Sequence, residues 1–445
     1  MKPRTDCDVI IIGGGPGGAV AALLLARAGF HAIVLEKSRF PRFHIGESML
    51  PRIYPLFEEL GLVEQLKSLP HVDKYGAEFG IGNDPKTSRF TFKQGLLPGS
   101  LTFNIERAVM DEMLLREAAR AGAEVREEVA VREILRIADD DVAVRLDDGS
   151  ELTARYVLDA SGQSTVVARH LGTRKPHTDP HLQKIAYFEH FEGVTGLGGN
   201  EHGHPGIFMC REGWFWRIPI NETVTSIGLV LDAQVARTIN RPANRMLMWG
   251  IGRCPVLRER MKNASGPATN KVIADFSYTC KPYAGDGHFL IGDAAAFMDP
   301  IFSTGVTLAM ISGRDAARQT IAILRGERCA ADARRQYIDF VEGSTGVFFN
   351  LIRRYYDHSF RELFLHGTGP CNIHRAIISI IGGQIFPKPA WCLRWRLWLF
   401  ELCVLLNKML PMVPRRRPYS LLEEPGEDFI PAAPLEQSAA VACNA

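Results

Sequence analysis

The sequence has no C-x-x-C pair, and its nine cysteines form an odd, scattered set. A zinc ribbon is thereby excluded and a disulfide framework disfavoured. No metal is expected, and the thiols read as reduced, in a cytoplasmic protein. No block of one charge stands out either. The 52 Lys and Arg face 50 Asp and Glu, a formal net charge of +2, which gives a nucleic-acid partner no electrostatic footing. There is no internal repeat, and MKPRTDCD runs directly into an apolar strand pattern, so no signal peptide is expected. One long apolar stretch lies at 391–413, WCLRWRLWLFELCVLLNKMLPMV, and it carries Arg394, Arg396, Glu401 and Lys408. Arg394, Glu401 and Lys408 recur every seven residues and share one narrow stripe of a helix, a pattern foreign to a bilayer span. The stretch reads as a helix docked on the rest of the protein. Contact with a partner or a membrane surface, aided by the arginines at 415–417, is the less favoured alternative.

What is present is an ordinary globular composition, 46% hydrophobic and 23% charged, over 445 residues, which is too long for one simple core. The N-terminal segment DVIIIGGGPGGAVAALLLARAGFHAIVLEK reads as strand, glycine turn, helix and second strand ending at Glu36. Gly13, Gly15 and Gly18 form G-x-G-x-x-G between strand and helix, with Gly14 and Gly17 in the same turn. Glycine there permits the tight turn, the close approach of backbone to a pyrophosphate, and close packing of helix on sheet. The helix N-terminus offers free amides to the phosphates, and Glu36 stands where a carboxylate accepts from a ribose. The segment predicts dinucleotide binding.

Two later segments narrow the choice. YVLDASGQST ends a strand near Asp159, and HFLIGDAAAFMDPIFSTGVTLAM ends another at Gly292–Asp293, placing Asp293 at the crevice. Three crevice segments spread over so much chain resemble FAD proteins of the aromatic-hydroxylase fold. In that class an arginine ahead of a helix lies beside the flavin, a place matched by Arg107 in NIERAVMDEML. No second G-x-G-x-x-G marks a nicotinamide domain, so FAD is the expected cofactor.

At 213–220 the chain reads GWFWRIPI, and period two puts Trp214 and Trp216 on one face of a strand. Alone, such a pair reads as core packing. Together with FPRFHIGESMLP at 40–51 and DPIFSTGV, it resembles the flavin-dependent halogenases. Their W-x-W-x-I-P pattern is matched by Trp214, Trp216, Ile218 and Pro219. Their F-x-x-P-x-x-S-x-G pattern is matched by Phe297, Pro300, Ser303 and Gly305. The resemblance covers roughly residues 5–350 and is closest to the phenol and pyrrole halogenases, including those of fungal polyketide pathways.

That resemblance implies a division of labour. FAD, reduced by a separate flavin reductase, would use O2 to oxidise chloride or bromide to hypohalous acid, while the tryptophan pair keeps the substrate from the flavin. In STGV, Ser303 reads as the N-cap of a helix, and the amides of Thr304 and Gly305 would hold the halide, with Val306 against the cofactor. Lys74, in DKYGAEF, matches the family lysine across a tunnel, and it would deliver the halogen by hydrogen bonding or as a chloramine. Buried strand around Lys74 predicts a lowered lysine pKa. Glu47 in HIGES lies in the strap between flavin and halide regions and is assigned to the cofactor. His44 is structural. The tryptophan halogenases carry a glutamate just before S-T-G, where this chain has Phe302. The expected substrate is therefore an aromatic activated by its own phenol hydroxyl or pyrrole nitrogen, free or carrier-bound.

The expected fold is α/β, an FAD-binding Rossmann-like lobe (1–60, 100–175 and 275–330) interleaved with a mixed β-sheet substrate lobe (61–99 and 176–274). A helical C-terminal region (331–420) and a disordered tail (421–445) follow. An aromatic hydroxylase or epoxidase, an isoprenoid reductase, or a non-catalytic flavoprotein are the competing readings. They account for the glycines but not for W-x-W-x-I-P together with S-T-G.

Overall fold

A computed structural model describes residues 5–433, save 98, 100, 180, 181, 275, 276 and 417. Cys7–Ile12, all but one of its residues buried, is the central strand of an eight-stranded sheet. It pairs in parallel with Ala32–Glu36 on one side and with Glu151–Asp159 on the other. Glu124–Glu127 and His288–Leu290 extend the parallel sheet outward on those two sides. The strand order therefore reverses at Cys7–Ile12, and a crevice opens beyond its carboxyl end. The helix Pro16–Arg27 and the long helix Gly305–Leu324 cover this sheet and pack against each other.

A second, seven-stranded sheet runs in the order Lys271–Ala274, Lys184–Glu192, Val224–Asp232, Gly213–Pro219, Gly206–Met209, Gly76–Ile81 and Ser88–Thr91. Every residue of Gly213–Pro219 is buried, because both faces of this sheet are covered. Trp214, Trp216 and Ile218 join the core shared with the C-terminal helices, whereas Phe215 packs on the opposite face with Leu229 and Trp249. The period-two alternation thus divides two cores rather than core from solvent. A separate two-stranded ribbon pairs His71–Lys74 with Thr102–Ile105 and joins the two lobes.

The C-terminal region is helical: Ala330–Tyr355, His358–His366, Ile373–Ile381 and Trp391–Met409. Tyr355, Phe360, Phe364 and Phe400 form an aromatic run that meets Phe79 and Phe90 of the second sheet. The expectation of a disordered tail fails over 421–433. Leu421 is buried and its amide donates to Glu212 at 2.9 Å, while the amides of Phe429 and Ala432 donate to Met248 and Ala264. The composition of this segment is that of a solvated linker, but its backbone groups find fixed partners on the second sheet's outer layer. Residues 434–445 of that expectation lie outside the described residues.

Candidate active site

The glycine turn after Cys7–Ile12 opens onto a cavity of about 600 Å³ that reaches the tryptophan face of the second sheet. Gly13, Gly15, Gly17, Glu36, Gly305, Trp214 and Trp216 all line it. A Cβ on Gly13, whose φ is +101°, would lie 2.4 Å from the Ala160 carbonyl oxygen, and one on Gly18 would lie 2.0 Å from that of Gly13. One on Gly17 would meet Ile291 at 2.7 Å. These three are demanded by the packing of turn and helix. At Gly15 the nearest group is Arg42 at 3.5 Å, so its missing side chain leaves the cavity open. Gly14 and Gly18 do not line the cavity, and the Gly14 amide donates to Glu36 Oε2 at 2.8 Å.

Arg107 is not the surface cap that its position ahead of a helix allows. It is buried, binds Asp111 through Nε at 2.7 Å and Nη2 at 2.8 Å, and donates from Nη1 to the Ile45 carbonyl at 2.9 Å. Arg42 also reaches Asp111, at 3.3 Å, so this carboxylate ties the 40–51 strap to the helix. Asp293 lies in a single turn, Gly292–Ala294, beyond the strand His288–Leu290. Burial raises its carboxyl to about 6, against the opposing pull of Arg107. A glycine turn, a helix N-terminus, the buried Glu36 at a strand end and the half-buried Asp293 along one cavity fit FAD.

Glu47 is 1% exposed, accepts from the Gly46 amide at 3.1 Å, and meets His190 Nε2 at 3.0 Å. His190 carries no motif and was not legible in the sequence; it comes from the strand Lys184–Glu192, more than a hundred residues away. The neighbouring Ser48 lines the cavity and turns its hydroxyl to Lys74. Lys74 is 2% exposed, and its Nζ donates to Ser48 Oγ and to the Met49 carbonyl, each at 2.8 Å. Nζ also lies 5.5 Å from the Phe92 ring centroid. No carboxylate pairs with it among the described residues, and burial lowers its pKa to about 7. Lys74 itself does not line the cavity; Ser48 stands between.

The sequence reading also missed the polar surroundings of Lys74. Thr102 is its register partner on the ribbon, and Asn104 lies two residues farther on the same face. Thr102 Oγ1, Asn104 Oδ1 and both ring nitrogens of His204 are buried without partners among the described residues. Unpaired buried polar groups mark a place where water or a ligand completes the hydrogen bonding. The alternation in TFNI was the available signal, since it sets Thr102 and Asn104 on one face with Phe103 and Ile105 on the other.

At the S-T-G motif the structure corrects one expectation. The helix is Gly305–Leu324 and Thr304 is its N-cap residue, not Ser303, with no side-chain cap bond. Ser303 has φ +56° and donates its amide to Pro300 at 2.8 Å, so it closes the turn before the helix instead of capping it. The amides of Thr304 and Gly305 remain at the helix's open first turn. A Cβ on Gly305 would meet nothing closer than Asp293 Oδ1 at 3.9 Å, so the protein itself does not require glycine there. Gly305 and Val306 both line the cavity; Thr304 is buried beside it.

Trp214 and Trp216 lie 5.8 Å apart by ring centroid, each with its indole N–H satisfied. Trp216 Nε1 donates to Ser226 Oγ at 3.1 Å, and its ring occupies the space over Gly228, where a Cβ would approach to 2.2 Å. Trp214 Nε1 donates at 3.2 Å to Asp299 Oδ2, which also accepts from Tyr356 Oη at 2.5 Å. Asp299 thereby fixes the indole from inside the F-x-x-P-x-x-S-x-G segment. Asp299→Ala is expected to cost about 2–4 kcal/mol in a urea melt, because two buried donors lose their acceptor together. A loss below ~0.5 kcal/mol would show that the pair is dispensable. Phe302, where the tryptophan halogenases carry glutamate, packs on Tyr355 and Phe79 at 5.4 and 6.4 Å and brings no base. His44 lines the cavity and bonds the Ile45 carbonyl at 2.7 Å.

Comparison with known proteins agrees with this geometry. Residues 6–187 match the family described as an FAD binding domain. The chain is 30% identical over 378 residues to the 1H-pyrrole-2-carbonyl-(peptidyl-carrier protein) chlorinase of Pseudomonas fluorescens, covering 79% of this chain and 84% of that protein. It is also 30% identical over 396 residues to the corresponding brominase of Pseudoalteromonas luteoviolacea, covering 88% and 95%. A solved flavin-dependent brominase superimposes with a TM-score of 0.78 at 28% identity, over 91% of this chain and 99% of its own. A flavoprotein/dehydrogenase from Cytophaga hutchinsonii does so with a TM-score of 0.81 at 27% identity, over 90% and 99%. With its FAD-type crevice, its paired indoles and a likeness that runs well past the flavin lobe, the chain belongs to the flavin-dependent halogenases.

Proposed function

We propose that this halogenase passes hypohalous acid through Lys74 to an aromatic of phenol or pyrrole type, in secondary metabolism. The observation that carries the reading is Lys74: a buried lysine without a carboxylate partner among the described residues, one side chain removed from the cavity. Reduced FAD, when bound, supplies with O2 and halide the hypohalous acid. Gly13, Gly15, Gly17, Glu36, Glu47, Arg107, Asp293 and Val306 would hold the cofactor, while Gly14 and Gly18 support the turn from behind. The amides of Thr304 and Gly305 would hold the halide with the helix dipole behind them.

Each group then has one task. Trp214 and Trp216, locked by Asp299 and Ser226, line the cavity that would hold FAD and would keep the aromatic out of it. Ser48 and the Met49 carbonyl take two N–H bonds from Lys74, which leaves the remaining position of Nζ for the oxidant. As an ammonium, Nζ donates there to the oxygen of hypohalous acid. As an amine, its lone pair attacks the halogen, the oxygen–halogen bond breaks, and a proton from the nitrogen joins the departing hydroxide, leaving N–halogen and water. The ring must bring its own electron density, since Phe302 provides no carboxylate. The carrier-bound pyrroles named for two relatives support a tethered substrate, and the same chemistry admits a free phenol.

The test is a mass-spectrometric screen with a flavin reductase, NADH, O2 and bromide, offering simple phenols in one arm and carrier-bound pyrrolyl thioesters in the other. Brominated product in either arm supports the reading; hydroxylated product, or none in both, overturns it. A second expectation concerns electrons. Alone, the protein with FAD is expected to oxidise NADPH negligibly, because the sequence offers no nicotinamide lobe. Rapid stoichiometric NADPH consumption without added reductase would instead favour a single-component hydroxylase.

A further inference from the structure

The helix Trp391–Met409 has two opposite apolar faces. Leu393, Phe400, Cys403, Val404 and Asn407 fall on one side and are buried against the neighbouring helices. Trp391, Trp398, Leu402, Leu405, Leu406 and Met409 gather in an arc of about 100° on the other side. That outer face is open: Trp391 is 75% exposed, Trp398 68%, Leu405 53% and Met409 80%. It runs for about 27 Å at the rise of an α-helix and continues into the exposed Leu410 and Met412. Scattered exposed apolar residues need no explanation, but a contiguous stripe of this kind marks a surface that is covered in use. The docking expected from the sequence therefore accounts for only half of the helix.

Charge selects the cover. Glu401 is the helix's acidic residue, and it is ion-paired with Arg354 at 2.9 Å. Lys408 and Arg415 are balanced by Asp357 and Glu362. The charges left over are cationic: Lys388, exposed just ahead of the helix, and Arg394, which flanks the outer arc, pair with no carboxylate among the described residues. Arg396 falls on the inner side of the helix, held by the carbonyls of Cys371 and Cys392, each at 2.8 Å, and is not counted with them. Exposed indoles beside unbalanced cations suit the headgroup layer of an anionic bilayer, where apolar rings enter and guanidinium groups meet phosphate. A second copy of this chain offers no acidic counterpart on the same face. No helix among the described residues is long and apolar enough to cross a membrane.

We propose that the outer face of Trp391–Met409 seats the protein on an anionic lipid surface, with the helix lying in the plane of the interface. The full-length protein is to be sedimented with phosphatidylcholine vesicles, with and without about one third phosphatidylglycerol. Binding to the anionic vesicles is expected, weakening as salt is raised. The doubly substituted Trp398→Glu/Met409→Glu protein is expected to lose more than ~tenfold in vesicle affinity. Halogenation and melting temperature in solution should be unchanged, since both side chains are exposed and remote from the cavity. Arg394→Glu should weaken only the anionic component. Failure of the unmodified protein to bind anionic vesicles at low salt, or undiminished binding by the double variant, overturns the proposal. So does a lipid-free dimer that the same variant dissociates in sedimentation velocity, because the face would then belong to a second copy.

Discussion

Lys74→Ala is expected to abolish organic halogenation while oxygen consumption by the reduced holoenzyme continues. Loss of a group acting directly on the transferring atom amounts to ~10²–10⁴-fold. The oxidising equivalents should reappear as hydrogen peroxide or as hypohalous acid caught by a small soluble trap. Lys74→Arg should not rescue, because guanidinium stays protonated and has no amine lone pair for the halogen. If arginine restored halogenation, the N–halogen route would fall and delivery by hydrogen bonding would stand. Normal halogenation by Lys74→Ala would remove Lys74 from the chemistry altogether.

The ionisation of Lys74 adds an independent measurement. Burial brings its pKa to about 7, below the ~10.4 of an unfolded lysine. Between those values the unfolded chain binds the extra proton, so stability rises with pH across this window. The cost of burying the charge is present in full below about 7 and vanishes near ~10.4. Lys74→Met is accordingly expected to raise the melting temperature at pH 6 and to lose that advantage toward pH 10. If the amine is the delivering form, the halogenation rate should also rise through pH 7. A flat profile there, with melting differences independent of pH, would mean that the lysine is not held as described.

Gly305→Val is expected to fold normally and to halogenate at least ~100-fold more slowly, the loss associated with removing a preorganised anion site. The nearest group to a Cβ at that position is 3.9 Å away, so the fold tolerates the side chain and only the cavity loses space. Oxygen consumption and peroxide release should persist, and added bromide should no longer divert them. Gly13→Val is the contrast: with φ +101° and a carbonyl 2.4 Å from the new Cβ, it should fail to fold. Unchanged halogenation in Gly305→Val would withdraw the halide assignment without touching that of Lys74.

The local rules of the chain were legible in advance. Strand, glycine turn, helix and acidic strand end at 7–36 follow from steric demands that adjacent residues carry themselves, and the period of GWFWRIP sets Trp214 and Trp216 on one face. The helix over the apolar stretch at 391–413 was likewise readable from its periodicity. The partnerships were not. Glu47 with His190, Trp214 with Asp299, and the unpaired Thr102, Asn104 and His204 near Lys74 join residues that no spacing rule links, because sheet pairing and helix packing choose partners across the whole chain.

Two misreadings have the same cause. Ser303 was read as the cap from its place before the helix, but it takes a left-handed conformation in a turn closed on the Pro300 carbonyl, and the helix starts one residue later. A tail of linker composition is free only if nothing pairs with its backbone, and the outer layer of the second sheet pairs with residues 421–433. By itself the sequence determined the flavin-type turn, the halogenase signatures and the amphipathic periods, because each is dictated within a few residues. Tertiary structure alone decided that Lys74 is held by Ser48 and Met49 with no carboxylate partner among the described residues, that Gly305 borders open space, and that one face of Trp391–Met409 is exposed. Burial and vacancy are properties of what the rest of the chain brings near.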